Sequence, residues 1–82
     1  MRVTVAAELQ TIRGGVEAYC RQLRLSGHGK DTDAAIDCLR RGVVAWCRGL
    51  DARGLLERVL RDKQVRFEPS DDTSFEVDIS MA

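Results

Sequence analysis

The sequence predicts a small, mostly helical α+β domain. Its expected parts are an antiparallel helical hairpin over residues 4–25 and 32–48, a third helix over 52–62, and a C-terminal β-hairpin of residues 64–68 and 74–79. Three observations carry that prediction. Large apolar residues recur at helical spacing in the first half, the glycine-flanked segment "SGHGK" interrupts them, and from Gln64 onward the pattern changes to strict alternation.

The first helix rests on Val5, Leu9, Ile12, Val16, Tyr19 and Leu23, whose successive spacings of 4, 3, 4, 3 and 4 form a heptad seam. Thr4 precedes it and can accept a hydrogen bond from a free N–H of the first turn. The two glycines around His28 supply the backbone freedom that a tight connection between antiparallel helices needs. "DTDAAID" opens the second helix, with Asp31 or Thr32 as cap and carboxylates near the positive end of the helix dipole. Its seam is Ile36, Leu39, Val43, Trp46 and Leu50. "RGLD" closes it at Gly49, and the third helix presents Leu55, Leu56, Val59 and Leu60 on one face.

Folding the first two helices together about His28 sets Gly15 opposite Gly42 and Cys20 opposite Cys38. That makes the glycines a helix-crossing contact, and it makes the cysteines a candidate redox pair. In the C-terminal segment "VRFEPSDDTSFEVDIS", Val65, Phe67, Phe75, Val77 and Ile79 alternate with polar residues. A hairpin pairing Phe67 with Phe75 sets Arg66 across from Glu76, which charge favours over a register opposing Glu68 and Glu76.

Composition bounds the function. The 82 residues suffice for one domain and carry no net charge, yet residues 1–66 hold all 13 basic and eight acidic side chains while residues 67–82 hold five acidic and no basic ones. Eleven of the 13 cations are arginines, as in proteins from GC-rich bacterial or phage genomes. Three cysteines and no apolar leader point to free thiols in the cytoplasm, and no run approaches the roughly 18 apolar residues of a membrane span. The spacing of Cys20, His28, Cys38 and Cys47 matches no structural zinc pattern. No phosphate-binding glycine loop, cofactor motif or catalytic constellation is present in the sequence either. The expectation is therefore a non-enzymatic accessory or regulatory protein that binds another protein, as a homodimer, without cofactor or metal. Its contact candidates are Arg21, Arg24, Arg40, Arg41, Arg48, Arg53, Arg58 and Arg61 on the polar helix faces, together with the edge of the acidic hairpin.

Nucleic acid is the competing partner. "MRVTVAAEL" followed by "DTDAAIDCLRRGV" resembles a ribbon-helix-helix repressor or antitoxin. The resemblance implies an N-terminal strand that pairs across a dimer, with Arg2 and Thr4 toward the bases of the major groove and Val3 and Val5 toward the core. The acidic C-terminal segment would then be similar to the toxin-neutralising tail behind such a DNA-binding head. A small enzyme or metal-binding protein is the third expectation.

Overall fold

A computed structural model of the protein describes residues 1–70 and 74–81. The chain runs β1 (Arg2–Ile12), β2 (Gly15–Cys20), β3 (Leu25–Gly29), α1 (Thr32–Ala52), α2 (Leu56–Asp62), β4 (Arg66–Glu68) and β5 (Glu76–Met81). This overturns the mostly helical expectation. Residues 4–25 are two strands and the start of a third region, with no helical hairpin, and the sheet has five strands.

The reason lies in a second periodicity within the same residues. Val3, Val5 and Ala7 are buried while Arg2 and Glu8 are exposed, an alternation that the helical seam overlooks because it omits Val3 and the alanines. "RGG", taken as the interior of a helix, is the β1–β2 turn, with Ile12 paired to Gly15 and Gly14 at φ +84°. "SGHG", taken as a loop, lies within β3, paired to β2 from Leu25 opposite Cys20 to Gly29 opposite Val16.

β1 is the spine of the sheet. Its residues Arg2–Thr4 pair antiparallel with β4, and Arg2–Ala7 pair in parallel with β5, so these two strands flank it on opposite edges. Its residues Glu8–Ile12 then pair antiparallel with β2. Between those stretches the Ala6 N–H is satisfied by the Gln22 side chain, which accepts it at 3.1 Å from the β2–β3 connection. The expected C-terminal hairpin is corrected here: β4 and β5 do not pair with each other, because β1 lies between them. Phe67 and Val77 both stand opposite Val3, and the expected turn residues 71–73 lie outside the described residues.

One helical layer covers one face of the sheet. Asp31 caps α1, its Oδ1 accepting from the Ala34 N–H at 2.8 Å. The helix passes through Gly49, where it was expected to stop, and ends at Arg53 with Gly54 at φ +68°. α2 is correspondingly shorter than the expected third helix. The core consists of Val3, Val5, Ala7, Ala18, Cys20 and Val77 from the sheet, with Leu23 and Val65 beside it, against Ala35, Leu39, Val43 and Cys47 of α1 and Leu56 and Leu60 of α2. Burying a Leu or Val side chain stabilises by about 1.5–3 kcal/mol, so this interlayer seam supplies most of the cohesion. Ile36, Trp46 and Leu50, expected in the seam, are half-buried at its margins.

Glycine sets how the layers meet. A Cβ on Gly27 would lie 2.6 Å from the Ala35 carbonyl oxygen and 2.8 Å from Leu39 Cα, and one on Gly29 would lie 2.5 Å from the Ala35 nitrogen. The backbone of α1 thus rests directly on β3, where only glycine leaves room. Replacing Gly27 with Ala is expected to cost about 3 kcal/mol or more, because backbone atoms cannot yield as a flexible side chain would. Gly42→Ala, at a helical position with open space around it, is expected to stabilise by up to about 1 kcal/mol. Urea unfolding of the two variants beside the parent checks both signs.

Candidate interaction surfaces

The uncovered face of the sheet is polar, and several of its charges are partnered across strands. Arg2 reaches Glu76 at 2.8 Å and Asp78 at 3.5 Å, so the β1–β5 pairing is reinforced by one guanidinium between two carboxylates. The hydrogen bond that Arg2 donates to Glu76, with the charge of Asp78 behind it, raises the Arg2 pKa above its ordinary value. Arg21 pairs with Glu8 at 3.0 Å, and His28 Nε2 lies 3.0 Å from Glu17 on the neighbouring strand. These pairs are exposed, so each contributes only modestly to stability.

The eight arginines singled out from the sequence fall into different environments. Arg40 Nε donates to the Val77 carbonyl at 3.3 Å, tying α1 to β5. Arg41 and Arg61 pair with Asp37 and Glu57 one turn away, and Arg61 also lies over the Phe67 ring, 5.7 Å from its centroid. Arg21 is spent on Glu8. Arg24, Arg48, Arg53 and Arg58 are exposed and form no ion pair among the described residues, and the same holds for Lys30. Arg24 closes the β2–β3 connection with φ +56°, a left-handed backbone that arginine rarely adopts. The expected helical stripe is therefore divided: four arginines are engaged within the chain, and four, at the rim of β3 and along the helical layer, have no ion pair among the described residues.

The other paired expectations dissolve with the helix pair that motivated them. Gly15 is a strand residue whose missing Cβ makes room for the Gly29 carbonyl, whereas Gly42 on α1 has open space around it, so the two are not brought into contact. Cys20 lies buried on β2 and Cys38 is half-buried on α1, and all three thiols are free. Among the described residues no group of three His, Cys, Asp or Glu side chains is placed to hold a metal ion, and no helix is long and apolar enough to cross a membrane. An open depression of about 260 Å³ lies between Met1, Arg2, Glu68, Ser70 and Ser74, where the N-terminal amine donates to Ser70 Oγ at 2.8 Å and to the Ser74 carbonyl at 2.9 Å.

The resemblance to a ribbon-helix-helix protein is half met in geometry. Residues 2–12 are a strand, with Val3 and Val5 inward and Arg2 exposed on the open face. That strand is not free to pair across a dimer at Arg2–Thr4, since β4 and β5 occupy both of its edges there. Sequence reasoning missed Gln22, Glu17 and Lys30 as residues of structural or surface interest. For Glu17 the available signal was the alternation within residues 16–20, which sets it on the face opposite Ala18 and Cys20.

Burial decides thiol chemistry. The Cys47 pKa is pushed up to about 11, chiefly by burial and then by the nearby Asp51 carboxylate. Its unfolded-state value lies near 9, so the folded form holds its proton more tightly. The associated stability is complete below pH 9 and is lost as pH rises toward 11. At pH 8 iodoacetamide is expected to modify the half-buried Cys38 first and to leave Cys20 and Cys47 unmodified until the protein unfolds, a sequence that mass spectrometry of digests reads directly.

No protein-family model, no curated protein and no solved structure matches this chain.

Proposed function

We propose that this is a small non-enzymatic accessory or regulatory protein that acts by binding an acidic protein partner, alone or as the homodimer its size favours. One observation carries the reading: a set of exposed cations along the helical layer and at the rim of β3 has no ion pair among the described residues. On the sheet face, Glu8, Glu17, Glu76 and Asp78 each have a partner within the chain. On the helical layer and at the rim of β3, Arg48, Arg53, Arg58, Arg24 and Lys30 stand exposed with no ion pair among the described residues. The helical layer also carries the exposed carboxylates Asp33, Asp51 and Asp62 without an ion pair among the described residues, so the cations there are in excess rather than alone. Free guanidinium groups favour carboxylate-bearing surfaces, which they can bind in a bidentate manner, and they accelerate encounter with such surfaces.

The test is a pair of proteins, the parent and an Arg48→Glu, Arg53→Glu, Arg58→Glu variant, matched for circular dichroism and melting. Each is immobilised and exposed to extract of cells that express the protein naturally. Any retained protein is then purified and titrated against both by calorimetry. The reading expects an acidic partner whose affinity falls at least tenfold in the variant and declines with added salt. Equal affinity for both proteins would overturn it, and so would selective loss of duplex DNA retention in the variant, which would favour nucleic acid. Solution mass measured with and without reductant reports whether a second copy is present and whether a disulfide links it.

A further inference from the structure

Among the described residues the sheet has four open stretches of edge, and they are not alike: that of β4 is three residues long, carries Arg66 and Glu68 and is followed by Pro69. The outer edge of β5 is covered in part: Glu76 directs its N–H to Met1 on the β1 side, so Val77 directs its carbonyl outward, where Arg40 binds it. β5 also carries Glu76 and Asp78, charges of the kind that deter stray strand pairing. The edge of β1 beyond Ala7, where β5 ends, spans only Glu8–Ile12 and begins at a carboxylate. β3 is different. Among the described residues it pairs with β2 alone, and its run Leu25–Gly29 contains no Lys, Glu, Asp or Pro and no bulge in its pairing. None of the usual protections of an exposed edge is present.

Charge identifies what suits that edge. Arg24 immediately precedes β3 and Lys30 immediately follows it, six residues apart or about 20 Å along an extended chain. Both are exposed and neither forms an ion pair among the described residues. A second copy of β3 is a poor fit, because the antiparallel register centred on Gly27 sets Arg24 of each copy opposite Lys30 of the other. An extended segment with carboxylates at matching positions places an anion opposite each cation.

We propose that the outer edge of β3 is the docking site for an extended acidic segment of the partner protein, which adds to the sheet as a further strand. Backbone hydrogen bonds to Leu25–Gly29 hold it, and Arg24 and Lys30 select carboxylates about six residues apart. The glycines at 27 and 29 bring α1 directly above this edge, so the incoming strand runs alongside the helix that carries Arg41 and Arg48. This inference rests on the protein-binding reading and assigns it a site.

The probes are two capped seven-residue peptides of alternating Val and Thr, one ending in Glu at both ends and the other in Lys. Each is titrated into nitrogen-15-labelled protein while amide shifts are followed. The Glu-ended peptide is expected to move the amides of Leu25–Gly29 and to bind at least tenfold more tightly than the Lys-ended one. An Arg24→Glu, Lys30→Glu variant is expected to reverse that preference while its sheet amides stay in place. Shifts centred on β5 or α1 would overturn the proposal, as would equal binding of the two peptides. Concentration-dependent shifts of the β3 amides without peptide would also overturn it, by showing that a second copy takes the edge. If the natural partner binds the Arg24→Glu, Lys30→Glu variant normally but fails with the helical-layer variant, this site is wrong and the protein-binding reading stands.

Discussion

The contact on which the rest of the structure depends is the seating of the α1 backbone on the two glycines of β3. With no Cβ at Gly27 or Gly29, the helix descends to the sheet until Ala35 and Leu39 touch strand backbone. Leu39, Val43 and Cys47 are then carried into the space above β2 and β1, where each is fully buried. A bulkier residue at either glycine would lift the helix at one end, and every apolar pair further along the seam would separate. Small residues are used on both sides of the contact, since Ala34 and Ala35 face glycine across it.

The second constraint is the shared spine. β1 is hydrogen-bonded to three other strands, and two of them come from the C-terminal segment. The first and last parts of the chain are therefore closed on each other through non-local pairing. Arg2 between Glu76 and Asp78, and the N-terminal amine on Ser70 and Ser74, place the complementary charges and donors of one end beside those of the other. The acidity of the C-terminal strand has a local use here, since it neutralises the basic residue at the start of the spine. Arg24, Lys30, Arg48, Arg53 and Arg58 in the middle of the chain have no ion pair among the described residues, and the surface proposed for a partner is built from them.

Much was legible from residues alone. The cap at Asp31, the α1 seam through Leu39 and Val43, the inward helical positions Leu56 and Leu60, and the inward Val65 and Val77 against outward Arg66, Glu68, Glu76 and Asp78 all agree with local chemistry. What misled was residues 4–25, in which the same apolar set satisfies two periods. Val5, Leu9, Ile12 and Val16 fit a helical seam, whereas Val3, Val5 and Ala7 fit a strand, and a count weighted to large side chains favours the helix. The arginines shared that error. Without knowing which segment pairs with which, Arg40 on a carbonyl cannot be told from Arg48 in solvent.

By itself the sequence determined the alternation within the C-terminal segment, the start of α1 and the separation of charge along the chain, because each depends on residues within a few positions of one another. Only the tertiary structure decided that residues 2–12 extend, that β1 separates β4 from β5, and that the glycines of "SGHG" serve helix contact rather than a turn. Each of those outcomes is set by atoms distant in sequence: hydrogen-bond partners about 75 positions away along the spine, and a helix backbone whose approach forbids a Cβ. Local periodicity contains no information about either, and where two periods compete, the arrangement that satisfies more of the non-local pairings prevails.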